Sequence, residues 1–323
     1  MSPDRPIFVV GFPRSGTTML QLMLHAHPRI AIPPESRFVI SGYQQRRQFG
    51  DLRDPARRRA LAKWIVSKKT FRDLRLDASE VTEEIVAGPP TLGSAFGIVF
   101  RSYARRFGKA RWGDKRPAYL HALHIITSLF PDAQIVHLVR DGRDAVASVM
   151  EMTWNTRDFY QSVAAWNEGV DHGRWAARTL GPDSYHEIRY EHLVADPAAE
   201  LKQLCAFLGE EFDPAMTEPA TVASVAVPKR KAWHERTHGS VDSARVSSYQ
   251  QRLEPWQIAL CEDAMGSRLR GFGYQLSGAP KPALEHRLRY LRAAARNPVV
   301  RPKRALDRFL ERLGGAASVA SQL

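Results

Sequence analysis

Cysteine is scarce in this chain: Cys205 and Cys261 are its only two, and neither their number nor their spacing fits a disulfide scaffold or a cysteine metal site. A reducing, cytoplasmic setting is the expectation that follows. Long apolar runs are missing as well. The N-terminal run from Ile7 to Phe12 falls far short of the roughly 20 residues that span a bilayer, and no basic segment with a long apolar stretch precedes it. No signal peptide and no membrane anchor are therefore expected. Negative charge is in deficit, with 34 Asp and Glu against 47 Lys and Arg, a net charge of +13 that suits an anionic ligand or surface. Residues 281 to 323 hold ten Lys or Arg against Glu285, Asp307 and Glu311, so this tail contributes +7 and the remainder +6. Metal-type histidine spacing is lacking too. His25 and His27 alternate at a helix end, where side chains diverge, and His121 and His124 have no evident carboxylate partner, so no metal is assigned. Internal repeats and low-complexity blocks are absent.

What is present is ordinary globular material, 44% hydrophobic. Ile7 to Val10 is a short β-branched and aromatic run stopped by Gly11, which predicts a buried strand, and Thr17 to Ala26 predicts a helix after it. Ile135 to Val139 predicts a second strand, followed by the RDGRD turn and a helix through Ala145, Val146, Val149 and Met150. Two such strand-to-helix junctions indicate an α/β fold with a central, mostly parallel sheet and ligands at the carboxyl ends of its strands. Residues 41 to 110 are rich in Arg, broken by Asp-Pro and Gly-Pro-Pro, and read as a helical insertion capping the substrate, with a helix over Ala56 to Ser67. Ile188 to Tyr190 reads as a further strand. Asp196, Pro197 and Gly209 bracket a helix whose Leu201, Leu204, Cys205 and Leu208 share one face, which makes Cys205 a core residue. The SGAPKP segment at 277 to 282 separates a body of residues 1–278 from a basic extension, 279–323. Leu284, Leu288 and Leu291, then Leu306, Phe309, Leu310 and Leu313, recur at helical spacing there; these helices either pack on the body or rest on an anionic membrane.

GFPRSGTT, residues 11 to 18, has the two glycines of a phosphate-binding loop at the right separation but Thr17 in place of the lysine. In ATP and GTP sites that lysine reaches the terminal phosphates and the next hydroxyl holds magnesium. Without it, backbone amides and a helix N-terminus still cradle an anion, with Arg14, Ser15, Thr17 and Thr18 adding donors. The loop suits an oxyanion that reacts without a tightly chelated metal.

PRSGTT, the continuation LQLMLHAHPRIAIPPESR and the later motif IVHLVRDGRDAVASV together resemble the sulfotransferase superfamily, most of all its tyrosylprotein branch and bacterial relatives. The resemblance spans most of residues 5 to 276. It implies a P-loop-like three-layer fold and the donor 3′-phosphoadenosine 5′-phosphosulfate (PAPS), used without a metal. It assigns Arg14, Ser15, Gly16, Thr17 and Thr18 to the 5′-phosphosulfate, and Arg140 and Ser148 to the 3′-phosphate, a role a strand-end guanidinium suits through bidentate contacts. Asp141 and Asp144 are then turn and helix-start residues. Tyr190, in IRYEHLVADPAAELKQLCAFLG, either approaches the nucleotide or packs. Glu35 of PPESR is implied as the general base, with Arg37 two residues on, and Lys115 of GDKRP as Arg14's partner in stabilising transferred and leaving oxygens. In RVSSYQQRLEPW, residues 245 to 256, Ser247 keeps the family's closing serine, Ser248 and Tyr249 replace its basic-aromatic pair, and Arg245 supplies the lost charge; PKRKAW, 228 to 233, joins the same closure. The acceptor is a hydroxyl whose carrier (tyrosine, sugar, lipid or secondary metabolite) stays open, as does the oligomeric state. Two other readings stand beside this one: a P-loop kinase with an unusual loop, and a non-enzymatic binder of anionic surfaces through Arg57, Arg58, Arg59 and the tail, with nucleic acid disfavoured for want of basic-aromatic motifs.

Overall fold

The computed structural model describes residues 5–222 and 245–296. Its frame is one sheet of five parallel strands: β1 (Ile7–Gly11), β2 (Ile30–Ala31), β3 (Arg111–Lys115), β4 (Gln134–Val139) and β5 (Tyr185–Arg189), in the order β2-β3-β1-β4-β5. β1 is central, with Phe8 opposite Asp114 of β3 on one side and Ile135 of β4 on the other. Strand residues alternate between the faces. Phe8, Val10, Trp112 and Ile135 enter one core, and Ile7, Val9, Val136 and Leu138 another.

Helices cover both faces, giving three layers. α1 (Thr17–Ala26) follows β1. Between β2 and β3 lie α2 (Phe38–Gln44), α3 (Pro55–Val66), α4 (Lys69–Arg72), α5 (Ala78–Ala87) and α6 (Leu92–Arg106). Their starts are written locally: Asp54, Asp77 and Thr91 each accept a backbone N–H of the first turn. Phe38, Phe96 and Phe100 join this helical block to Trp112 of β3, with the Phe100 and Trp112 rings stacked 5.1 Å apart. α7 (Leu123–Leu129), α8 (Gly142–Met150), α9 (Phe159–Leu180), α10 (Tyr190–Ala195) and α11 (Pro197–Leu208) complete the layers, and α12 (Tyr249–Arg252), α13 (Pro255–Gly271) and α14 (Leu284–Arg296) follow.

The structure departs from the sequence reading at three places. The fifth strand runs over Tyr185–Arg189, and Tyr190 opens a helix instead of closing the strand. β3 carries three charges in five residues and no apolar run, yet all five are buried. Arg111 donates to the carbonyls of Arg5 and Leu208, Asp114 accepts from Ser36 and Tyr119, and Lys115 pairs with Glu35. Partners distant in sequence make burial of these charges affordable. In α14 it is His286, Tyr290 and Ala293 that pack on the body: His286 stacks on Trp256 at 4.1 Å and Tyr290 shares a hydrogen bond with Asn167 at 3.0 Å. Leu284, Leu288 and Leu291 face outward, 68%, 45% and 57% exposed. Leu306 to Leu313 and residues 228–233 lie outside the described residues. Cys205 is buried against Met216, and burial pushes its thiol up to about 11.

Two buried histidines dictate an acid limit. His25 Nδ1 accepts from the Ile32 amide, and His137 lies beside Tyr185 Oη at 2.6 Å; burial, aided at His25 by Lys109, lowers both to about 3. Between the unfolded value of about 6.5 and the folded value of about 3, the unfolded chain binds protons that the folded chain refuses. Stability therefore falls as pH falls through that window, by up to about 1.4 kcal/mol per pH unit for each histidine. Calorimetry should show the melting temperature dropping between pH 6.5 and 4; a flat profile would contradict it.

Candidate active site

β1, β3 and β4 end side by side, and the chemistry-bearing segments leave from these ends. After Gly11 the chain turns through Arg14 at φ 71° and Gly16 at φ 93° before α1 begins. Gly16 is required twice over. Its φ lies in the left-handed region, and a Cβ there would meet the Tyr190 ring at 2.7 Å. Tyr190 is thus the wall against which the loop folds. No side chain caps α1 and no acid stands in its first turn, so its leading N–H groups face the loop.

Cations converge on this loop. Arg14 Nε donates to Ser148 Oγ at 3.2 Å. Arg140, just past β4, donates through Nη1 to the Arg14 carbonyl at 2.9 Å and through Nη2 to the Arg245 carbonyl at 2.7 Å, and its guanidinium lies 4.6 Å over the Tyr190 ring. Burial lowers the Arg14 pKa, and Arg140, Arg245 and Arg252 lower it further. Ser15 Oγ and Arg140 Nε are buried without a hydrogen-bond partner. Unpaired buried donors beside clustered guanidinium groups are the complement of a phosphate-like anion.

The end of β3 supplies another cation. Lys115 Nζ donates to Glu35 Oε1 at 2.6 Å and to Thr18 Oγ1 at 3.2 Å, and the residue is 1% exposed. One ammonium therefore links the first turn of α1 to the carboxylate. Behind the pair, Asp114 accepts from Ser36 Oγ at 2.6 Å and Tyr119 Oη at 2.5 Å. Burial pushes its carboxyl up against the opposing pull of those bonds. Asp114 precedes Lys115 and Ser36 follows Glu35, so this cluster fastens the two segments together.

Most of the sequence-derived residues gather here buried or half-buried, and two are exposed. Arg37 has φ 58° and an exposed side chain; its carbonyl accepts from Ser41 and Arg116. Ser247 is exposed, and it is its backbone N–H that is engaged, by Asp144 Oδ2 at 2.8 Å. Asp144 also accepts from Ser248 Oγ and the Tyr249 amide, so it clamps segment 245–249 beside the loop, while Asp141 caps α8 and pairs with Arg143. Both aspartates are structural, as their turn and helix-start positions suggested. Sequence reasoning missed the Asp114 cluster and this clamp, whose partners are far apart in the chain, and it passed over Arg252, which donates to Ser248 Oγ and pairs with Glu151.

Residues 6–214 match the model of the Sulfotransferase family. The chain belongs to that family of enzymes. The protein-tyrosine sulfotransferase of Drosophila melanogaster is 27% identical over 217 residues, 65% of this chain and 39% of that protein. The nodulation protein NoeE of Sinorhizobium fredii is 27% identical over 297 residues, covering 84% of this chain and 66% of its own length. The chain spans about half the length, 39% to 56%, of four protein-tyrosine sulfotransferases that it matches. Among solved structures, the sulfotransferase domain of the Synechococcus PCC 7002 olefin synthase superposes with a TM-score of 0.59 at 25% identity, over 84% of this chain and 97% of that domain. The sulfotransferase domain from the curacin biosynthetic pathway, at 18% identity and a TM-score of 0.62, shares the fold over 84% of this chain and 99% of its own.

Proposed function

We propose that this chain moves a sulfuryl group from PAPS to a hydroxyl acceptor, with Glu35 as general base. The observation that carries the reading is Lys115, whose single ammonium bonds both Thr18 on the lysine-less phosphate loop and the Glu35 carboxylate. PAPS would supply an activated sulfuryl group on its 5′-phosphate. The α1 N-terminus, Arg14, Ser15, Gly16, Thr17 and Thr18 would hold that end; Arg140 and Ser148, with Tyr190, Arg245 and Ser247 around them, would hold the 3′-phosphate. The unpartnered Ser15 Oγ and Arg140 Nε fit such a ligand. Glu35 takes the acceptor's proton as the acceptor oxygen bonds to sulfur and the bond from sulfur to the phosphate oxygen breaks; Lys115 and Arg14 balance the charge left on that oxygen. Arg37, exposed as it is, serves in this scheme only at the acceptor side. The helices between β2 and β3 would form the acceptor cap.

Calorimetry with adenosine 3′,5′-bisphosphate, and mass spectrometry after incubation with PAPS and a panel of phenols and sugars, test the proposal. Binding of the bisphosphate and an 80 Da gain on an acceptor, the mass of a sulfuryl group, are expected; no binding at all would sink it. ATP with magnesium is the control for the kinase alternative, which the family match leaves without support. Gly16→Ala is expected to cost about 1–2 kcal/mol for the backbone alone, beyond the Tyr190 clash, and to weaken bisphosphate binding at least tenfold; wild-type affinity in that variant would remove the loop from the donor site. The outward Leu284, Leu288 and Leu291 keep contact with an anionic membrane as a proposal. Sedimentation with anionic vesicles should then fall on adding salt and on Leu288→Ser; indifference to both would dismiss it.

A further inference from the structure

His121, Glu168 and His172 come together where the turn of Pro117–His121 lies against α9, away from any pairing that sequence spacing suggests. Their donor atoms all lie within 4.8 Å of one another, and all three residues are half-buried. Glu168 and His172, at i and i+4, project from one face of α9. Gly169 lets the turn approach: a Cβ there would stand 3.0 Å from Leu120 Cδ2 and 3.9 Å from His121 Cε1. The two imidazoles are 5.3 Å apart, with their planes at 78°.

The tautomer of His172 follows from its partner. Its Nδ1 is 2.7 Å from the Glu168 carbonyl oxygen. A carbonyl only accepts, so Nδ1 carries the hydrogen and Nε2 keeps its lone pair, the arrangement set in metal-binding histidines by a carbonyl that accepts from the ring's other nitrogen.

We propose that His121, Glu168 and His172 form a binding site for a divalent transition metal of the zinc class. Two imidazoles and one carboxylate are a ligand set that zinc accepts, with water in the fourth position. Donors around a tetrahedral zinc stand about 3.3 Å apart, a contraction that half-buried side chains reach by rotating about their χ angles. The bound ion would tie the turn after β3 to α9. Tyr119 in that turn holds Asp114, the neighbour of Lys115, so the clamp would stiffen the segment behind the reacting lysine without touching the sulfuryl group.

The test uses the full chain, free of any histidine tag and stripped of metal. Titration with zinc chloride by calorimetry, checked by elemental analysis after gel filtration, should find one tight equivalent, and zinc should raise the melting temperature. His172→Ala and the milder Glu168→Gln should each weaken that equivalent at least tenfold and abolish the melting shift, with circular dichroism showing a folded chain. Absence of a stoichiometric equivalent overturns the site. Zinc binding unchanged in Glu168→Gln and in either His121→Ala or His172→Ala overturns it as well, since the ion would then sit elsewhere.

Discussion

Glu35→Gln is expected to lower turnover by about 10²–10⁴-fold while leaving the affinity for adenosine 3′,5′-bisphosphate unchanged. The amide keeps the size of the carboxylate, and its oxygen can still accept from Lys115 Nζ, which now sits 2.6 Å from Glu35 Oε1. What it loses is the ability to take a proton. Donor binding rests on the loop and on Arg140, and Lys115, which bonds both Thr18 and Glu35, stays in place. Glu35→Asp keeps the base but withdraws it by one methylene, so intermediate turnover is expected, limited by position and not by protonation. Single-turnover kinetics with PAPS, alongside calorimetry of the bisphosphate, separate the two effects. Near-normal turnover in Glu35→Gln would remove Glu35 as the base.

Lys115→Ala should be costly in two ways. Its ammonium is buried between Thr18 and Glu35, so removing it takes the lysine counter-ion from a largely buried carboxylate, at about 3–5 kcal/mol of stability. It also removes the ammonium that bonds Thr18 in the first turn of α1, worth about 10²–10³ in kcat by analogy with single oxyanion donors. The two costs can be told apart. In Lys115→Met with Glu35→Gln, no charge is left stranded, so stability measured by denaturant unfolding should recover while turnover stays low. If Lys115→Met alone, once shown to be folded, turns over normally, the lysine is a structural counter-ion only.

Much of the proposed donor side could be read from the chain because it is local. A glycine-bearing loop between a strand and a helix has one geometry, so Arg14 to Thr18 could be placed without knowing anything distant. Arg140 and Ser148 were named through resemblance, and they lie just past the end of β4 and two turns into α8. Glu35 and Lys115 were named through resemblance, and nothing in their own surroundings announced a pair 80 positions apart. β3 escaped notice because RWGDK has no apolar periodicity; it is a strand because Arg5, Ser36, Glu35 and Leu208 satisfy its charges from elsewhere.

The leucines of α14 show what spacing leaves open. Their helical spacing was real, but spacing cannot say which face finds a partner, and the aromatic face that seats His286 on Trp256 wins over the leucine face. His121 behaves likewise: sequence pairs it with His124, and folding brings it to Glu168 and His172.

By itself, then, the sequence determined the α/β order, the phosphate loop with its missing lysine and the excess of basic charge, all of which are set by neighbours within a few residues of one another. Tertiary structure alone decided that Lys115 joins the loop to Glu35, that Asp144 clamps segment 245–249, and that Asp114 ties β3 to the segment carrying Glu35. Those contacts are made by buried polar groups, and a buried charge is tolerated only where the fold, not the local chain, delivers its partner.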